Sequence, residues 1–486
     1  MRTRSAEWVA RTVTGRLVGD VAAAVGPDVV IDSRRVTPGA LFVALPGDHV
    51  DGHDYVGVAA ANGAAAALVT SEQHMRGHPG LAQIIVDDGV AGLSRLAEAV
   101  VADAHGSGLL VLAVTGSSGK TSTKDMLAQV LEDAGTTVAP VGSFNNEIGV
   151  PLTACRVDDQ TRYLVSEMGA RGIGHIAWLC SLVHPDISLV LNVGTAHLGE
   201  FGSVEGIAAA KGELVEGLGP EGWAVLNLDD THVAAMQHRT RARLAWFSLD
   251  ASASLPDGAG LLVTADEITH DDLGHHSFMM VVKAPGADDV RLPVGLALIG
   301  GHQVANAVAA AAAALAAGLA PAAVASSLNN LEHRSPWRMQ LQQRADGAAI
   351  INDSYNANPD SMAAALAALS DIGAARRQQL PDTRVLAVLG DMLELGDDAA
   401  ARHHRVGELA ARAGVDELWA VGEFAQQLAD GAAAHGVITH IVTLHEASSI
   451  PLGAQDVVLV KASRGLALDK VAAALLSSDP SHQEAR

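Results

Sequence analysis

The chain has 486 residues, long for one hydrophobic core, so two to four domains are expected. A net charge of −23 without basic blocks argues against nucleic-acid and anionic-membrane partners. Aromatic residues make up 3% of the chain, so its cores must be built from Ala, Val and Leu, and any anionic ligand must be held by local devices such as glycine loops, helix N-termini, single cations or metal ions.

The opening segment MRTRSAEWVARTVTG has no apolar signal core, and a cytoplasmic protein is the expectation. A first block then alternates short apolar runs (ALFVAL, AALVT, QIIVDD) with helical patterns and closes with the helix GVAGLSRLAEAVVADAHG. HGSG at 105–108 reads as a linker, giving an N-terminal α/β domain over 1–107. The two cysteines, Cys155 and Cys180, have neither zinc nor disulfide spacing and read as reduced, buried thiols.

A central domain is expected over 108–333. It opens with LLVLAV, a run suited to a strand buried on both faces. The loop TGSSGKT follows, then a helix with Met126, Leu127, Val130 and Leu131 on one face and Gly135 as its natural C-cap. YLVSEMG and ISLVLNVGTAH are two more buried strands with polar C-terminal ends. From Trp246 to about Val294 the runs LLVTADEI, HSFMMVVKA and DVRLPV lack intervening helices and suggest an antiparallel addition. The Ala-rich stretch after Gly301 carries Asn306, Gly318 and Pro321, which fits a buried helix rather than a membrane span. A third domain over 334–486 alternates β and α again, as a parallel, doubly wound Rossmann-like sheet would.

The loop at 115–121 lacks the first glycine of the usual G-x-x-x-x-G-K-S/T pattern, since that position holds Val114. Its setting between a buried strand and an amphipathic helix nonetheless supports nucleotide binding. The N–H groups of Gly116, Ser117, Ser118, Gly119, Lys120 and Thr121 can form a nest for phosphate oxygens. Lys120 supplies a point charge, and the Thr121 hydroxyl suits Mg²⁺. The absence of an N-K-x-D guanine-reading motif points to ATP.

Other candidates lie at strand ends, where ligands gather in open α/β sheets. Glu167, just past a buried strand, reads as a metal ligand or a helix N-terminal charge; His197 reads as a site residue or a structural histidine. Asp353 leaves the run AAIIN either to bind ribose hydroxyls or to make an Asx-turn with Asn356, Asn358 and Pro359. Arg338 reaches a γ-phosphate or makes a surface ion pair. Lys211, in AAAKGELVEGL, reads as a solvated helix lysine.

Taken in order, TGSSGKTS, SFNNEIGVP, SEMGA, AHLGEFGS, AKGE, GGHQVANA, DSYNANPDSM, GDMLELG and VKASRG resemble the Mur ligase family, the ATP-dependent amide-forming enzymes of peptidoglycan precursor synthesis. The resemblance covers nearly the whole chain. It is greatest, through DSYNANPDSM and GDMLELG, to members that add D-alanyl-D-alanine to UDP-N-acetylmuramoyl-tripeptide. A small-molecule kinase or a nucleotide-binding regulator would fit the phosphate loop alone but not this set.

The resemblance implies a monomeric cytoplasmic enzyme of three α/β domains, using ATP and two Mg²⁺. It implies phosphate and metal contacts from Thr115 through Thr121, metal roles for Glu167 and His197, and a carbamylated Lys211 as a second carboxylate-like ligand. His302 and Asn306 match the stretch near the nucleotide, Arg338 and Asp353 the γ-phosphate and ribose contacts, and Asn358 a position near the adenine. Asp32, Ser33, Arg34, Leu45 and Gly47, with Asn145 and Asn146, match segments holding the UDP-sugar. Lys461, Ser463 and Arg464 match the segment near the incoming dipeptide. The chain departs from the family pattern at Gln303, Ala462 and Trp337, where Asn, Gly and Gly are usual.

Overall fold

The computed structural model describes residues 1–47, 50–73, 81–194 and 201–477. These form a mixed α/β molecule with three principal sheets and one short two-stranded ribbon.

The N-terminal sheet has five strands in the order Arg16–Val18, Ala82–Ile85, Ala66–Val69, Leu41–Val43, Val29–Val30. Its first strand is antiparallel and the others parallel. The helix Gly89–His105 then packs on helices Gly149–Ala154 and His175–Val183 of the central sheet. One apolar cluster therefore runs across the expected linker, from Leu41 and Ile84 through Leu96 and Val101 to Ile176 and Leu214.

The central sheet has nine strands in the order Val290–Ile299, His275–Lys283, Leu261–His270, Arg243–Ser248, Trp223–Asn227, Ile187–Val190, Leu110–Thr115, Tyr163–Glu167, Thr137–Val138. The antiparallel addition exists but starts later than Trp246 suggests. Arg243–Ser248 pairs parallel on both sides, and only the last three strands form the meander. Trp246, fully buried, belongs to the main sheet. The register sets Glu167 beside Val114 and Val190 beside Thr115, so three parallel strands release their C-terminal ends together. The phosphate loop leaves from the middle one.

The helix Lys120–Glu132 covers this edge, and Asp133 rather than Gly135 is its cap, although the Gly135 N–H still donates to the Leu131 carbonyl (2.9 Å). Against it lies His302–Ala316, whose alanines from Ala309 to Ala314 are fully buried. A helix apolar all round is a core element; small side chains let it approach both sheet and neighbouring helix.

The C-terminal sheet has six strands in the order Gln340–Gln343, Ala349–Asn352, Val457–Lys461, Val385–Gly390, Glu417–Val421, Ile438–Ile441, parallel except for the first. Gln340–Gln343 holds a single apolar residue, Leu341, too short an alternation to announce a strand in sequence. Helices Ala399–Arg412 and Ala425–Ala433 close one face through two glycines: a Cβ at Gly407 would lie 2.2 Å from the Leu428 carbonyl, and one at Gly431 2.0 Å from the His404 carbonyl.

Gly431→Ala tests this contact. Helix propensity alone favours alanine by about 1 kcal/mol, but backbone overlap cannot be relieved by a rotamer change. Net destabilisation of about 1–3 kcal/mol is expected, read as a lower urea midpoint; an unchanged or higher midpoint would contradict the close packing.

Candidate active site

The C-terminal edges of the central and C-terminal sheets face each other across a cleft of about 540 Å³. Ser117 to Thr121, Asn145, Asn146, Glu167 and Lys211 line it from the central side. His302, Asn306, Arg338, Asp353, Asn358, Lys461, Ser463 and Arg464 line it as well. Two residues of the loop do not reach it. Thr115 is buried, its hydroxyl donating to the Met168 carbonyl (2.8 Å), and Gly116 packs on Leu191, where a Cβ would come within 2.9 Å. His197 lies outside the described residues.

The loop is held from below. Asn192, at the end of the neighbouring strand, accepts from the N–H groups of Ser117 and Ser118 through its Oδ1 (both 3.0 Å). Part of the expected nest is thus occupied by a side-chain oxygen. Gly119 has φ +78°, and a Cβ there would lie 2.5 Å from Asn306 Oδ1. Asn306 itself is buried, accepting from Thr123 Oγ1 (3.2 Å) and donating to Gln303 Oε1 (2.9 Å). Its place is beneath the loop, as a support. Gln303, the departure from the usual Asn, keeps this amide satisfied.

Lys120 Nζ folds back onto the Gly116 carbonyl (2.6 Å). Burial lowers its pKa, the Glu167 charge opposes that and Arg338 adds to it. Glu167 is the last residue of its strand rather than just past it, and is 1% exposed. Its Oε1 accepts from Asn145 Nδ2 (2.8 Å), while its Oε2 is buried without a partner among the described residues. A carboxylate oxygen left in this state suits a hard cation, as does the Thr121 hydroxyl. No group of three or more His, Cys, Asp or Glu able to hold a metal exists among the described residues.

Lys211 is not solvated. It is 5% exposed, has no hydrogen-bond partner among the described residues, and its pKa is lowered well below the usual lysine value by burial and then by Lys120. Arg338 is not a surface ion pair either. Its Nη2 donates to Ser143 Oγ (2.7 Å), which lies 2.9 Å from Thr121 Oγ1, and its guanidinium sits 4.1 Å from the centre of the Tyr355 ring. An arginine ahead of the C-terminal sheet thus reaches the phosphate loop through one serine.

Asp353 does more than turn the chain. Its Oδ2 accepts from Lys461 Nζ (2.6 Å) and its Oδ1 from the Met339 N–H (3.0 Å). Lys461 also donates to the Asn356 carbonyl (2.8 Å). Asn358 caps the helix Pro359–Gln379 in a reciprocal box with Ser361. Asn146 likewise accepts from the Gly149 N–H (2.9 Å) at the start of its helix. Ser463 Oγ accepts from the Leu393 N–H (3.0 Å), and Arg464 donates to Asp469 (2.7 Å).

The set Asp32, Ser33, Arg34, Leu45 and Gly47 is absent from this cleft's lining. Asp32 caps the short helix Ser33–Arg35, and Arg34 holds its carboxyl down at about 2. Gly47 donates to the Val50 carbonyl (2.9 Å).

Ser143, Asn192, Tyr355 and His403 are structural partners of the cleft that residue-type reasoning missed. The first three stand in or beside quoted motifs and carried no distinguishing spacing. His403 accepts the Met392 N–H at its Nε2 (2.8 Å), anchoring the segment whose Leu393 to Leu395 line the cleft.

Residues 28–105 match the Mur ligase family catalytic domain, 114–314 the Mur ligase middle domain, and 337–464 the Mur ligase glutamate ligase domain. UDP-N-acetylmuramoyl-tripeptide–D-alanyl-D-alanine ligase of Mycobacterium tuberculosis is 40% identical, over 93% of this chain and 92% of its own length. The chain belongs to the Mur ligase family. Among solved structures, MurF from Acinetobacter baumannii superposes with a TM-score of 0.82 at 29% identity, covering 98% of this chain and all of that one. MurF ligase from Thermotoga maritima in complex with ADP has a TM-score of 0.74 at 26% identity, covering 94% of this chain and 98% of that one. The three-domain α/β architecture is that of the family.

Two measurements probe the cleft. Asp353→Ala leaves the buried Lys461 ammonium unpaired, and a loss of about 3–5 kcal/mol in unfolding free energy is expected; a loss under about 1 kcal/mol would mean the pair is not a tie. The second concerns His302, whose pKa burial pushes down to about 4, Asp353 opposing and Lys461 and His276 adding. The unfolded imidazole binds a proton near 6.5, so stability rises with pH across this window and is lost as pH falls from about 6.5 towards 4, by up to ~3 kcal/mol. His302→Gln should flatten that part of the stability profile; an unchanged slope would assign it elsewhere.

Proposed function

We propose that the chain is an ATP-dependent ligase that joins D-alanyl-D-alanine to UDP-N-acetylmuramoyl-tripeptide, giving the pentapeptide nucleotide, ADP and phosphate in peptidoglycan precursor synthesis. The observation that carries this reading is the cleft. A phosphate loop with its lysine, a buried carboxylate with one oxygen unpartnered among the described residues, and an arginine beside the C-terminal sheet face one space. Relatives carrying that activity in their names match almost end to end, and the ADP held by a neighbouring fold supports ATP as phosphoryl donor.

The chemistry accounts for the cations. A carboxylate oxygen of the tripeptide attacks the γ-phosphorus, the bond to ADP breaks, and an acyl phosphate forms. The neutral amine of the dipeptide then attacks the acyl carbon, phosphate leaves, and the amine proton passes to solvent. The first step brings two anions together, so its barrier falls where positive charge is fixed in advance. Lys120 exchanges the Gly116 carbonyl for β/γ-phosphate oxygens, and Arg338 neutralises the γ-phosphoryl group. Ser117, Ser118, Gly119 and Thr121 hold the phosphates, with His302, Asp353 and Asn358 on the nucleoside side and Asn306 beneath. Asp353 keeps lone pairs for a ribose hydroxyl beyond its two bonds. Asn145, Asn146 and the N-terminal set Asp32, Ser33, Arg34, Leu45 and Gly47 take the UDP-sugar; Lys461, Ser463 and Arg464 take the dipeptide.

Thr121 and Glu167 are the residues that would hold magnesium, which when bound supplies charge neutralisation at the phosphate oxygens. Lys211, buried and without an acidic partner among the described residues, fits a carbamate. Its neutral Nζ attacks the carbon of CO₂, a proton is lost to water, and an oxyanion replaces a disfavoured cation. Both substrates are small charged molecules, and no helix among the described residues is long and apolar enough to cross a membrane; a monomeric enzyme of the cytoplasm is part of the proposal.

With ATP, Mg²⁺, the tripeptide nucleotide and D-alanyl-D-alanine, ADP and pentapeptide should appear in equal amounts and only when the dipeptide is present. AMP formation, or ADP release indifferent to the dipeptide, overturns the reading. For Lys211, ¹³C-labelled bicarbonate should give a carbamate carbonyl resonance that is lost in Lys211→Arg, with kcat falling roughly 10- to 100-fold. A resonance unchanged by the substitution removes Lys211 from the site.

A further inference from the structure

The turn that carries Arg338 holds a large aromatic residue in a backbone conformation that favours glycine. Trp337 has φ +61°. Its carbonyl accepts from the Tyr355 N–H (3.1 Å) and its own N–H donates to Gln340 Oε1 (3.3 Å), and neither bond needs the indole. A side chain in the left-handed region is retained where something else over-determines it. What the indole meets is Arg464, whose guanidinium carbon lies 4.2 Å from the ring centroid, within cation–π range.

Arg464 lines the cleft and its side chain is 50% exposed. One of its terminal nitrogens donates to Asp469 Oδ1 (2.7 Å). Ring on one side and carboxylate at one end restrict a side chain that would otherwise sample many rotamers. No other hydrogen bond of the guanidinium is made among the described residues, which leaves donors for a planar anion, and a guanidinium matches a carboxylate in two-point geometry. Trp337 itself does not line the cleft, so it acts through the arginine.

We propose that Trp337 is a positioning residue that holds Arg464 at the cleft to receive the carboxylate of the incoming dipeptide. The choice of ligand rests on the ligase reading above; the stacking does not.

Three variants test it: Trp337→Gly, which keeps the backbone conformation without strain, Trp337→Phe, which keeps an aromatic face, and Arg464→Lys. In Trp337→Gly the KM for D-alanyl-D-alanine should rise about threefold to tenfold, with the KM values for ATP and the tripeptide nucleotide within about twofold of the parent. Trp337→Phe should recover most of the loss, and Arg464→Lys should reproduce it. Thermal stability should not fall in Trp337→Gly, which separates positioning from folding. A dipeptide KM that stays put, a rise shared equally by all three substrates, or a Phe variant as impaired as the Gly variant overturns the proposal. A second readout needs no substrate. Modification of Arg464 by phenylglyoxal, followed by peptide mass spectrometry, should quicken in Trp337→Gly and return in Trp337→Phe; equal rates overturn the stack. If the parent enzyme releases no dipeptide-dependent ADP, the ligase reading fails while the reagent measurement still decides whether Trp337 holds Arg464.

Discussion

The cleft depends on the pairing of Asp353 with Lys461. Asp353 follows the strand Ala349–Asn352, and Lys461 ends the neighbouring strand Val457–Lys461. Their carboxylate and ammonium meet at 2.6 Å with the lysine 2% exposed. Removing either partner would strand a buried charge, which is why such a pair is costly to break even when its net gain over an apolar pair is small. The second carboxylate oxygen accepts the Met339 N–H. One side chain therefore fixes two strand ends and the turn that delivers Arg338, so the cation facing the phosphate loop is set from within the C-terminal sheet.

The opposite wall is built on small residues. Gly119 lets Asn306 approach the loop, and the alanines of His302–Ala316 let a whole helix sink between loop helix and sheet. This composition also explains the electrostatics. Lys120, Lys211 and Arg338 stand close enough that Lys120 depresses Lys211 and Arg338 depresses Lys120, with Glu167 opposing the latter. A chain of net charge −23 thus gathers three basic side chains, Lys120, Lys211 and Arg338, at one cleft.

Much of this was legible in the residues. Buried strands flanking a glycine loop announced the central sheet, because an apolar run followed by GKT and a helical stripe has few other solutions. The doubly wound third sheet followed from β–α alternation. Features set by distant packing were not legible. Lys211 sits on a helix where a lone lysine reads as solvated; its burial comes from how the elements around it assemble. Gln340–Gln343 is a strand only because Ala349–Asn352 offers it a partner. Asp353 and Lys461, 108 residues apart, carry no mutual signal in a single sequence. The resemblance to a family named residues that mostly line one cleft, Asn306 among them, but it carried no sign of the hydrogen bonds that tie Asn306 to Thr123 and Gln303.

Arg338 stands between two non-glycine residues of positive φ, Trp337 at +61° and Met339 at +49°. Backbone of this kind costs of order 1–3 kcal/mol per residue and persists where neighbours hold it. Here the neighbours are identifiable: the Tyr355 N–H takes the Trp337 carbonyl, and Asp353 takes the Met339 N–H. The strained turn and the buried ion pair are therefore one device. A relaxed turn would not need Asp353, and an Asp353 without Lys461 would lose the hydrogen bond that orients it at that depth. Strain at the junction is thus the consequence of aiming an arginine ahead of one sheet at the phosphate loop of another.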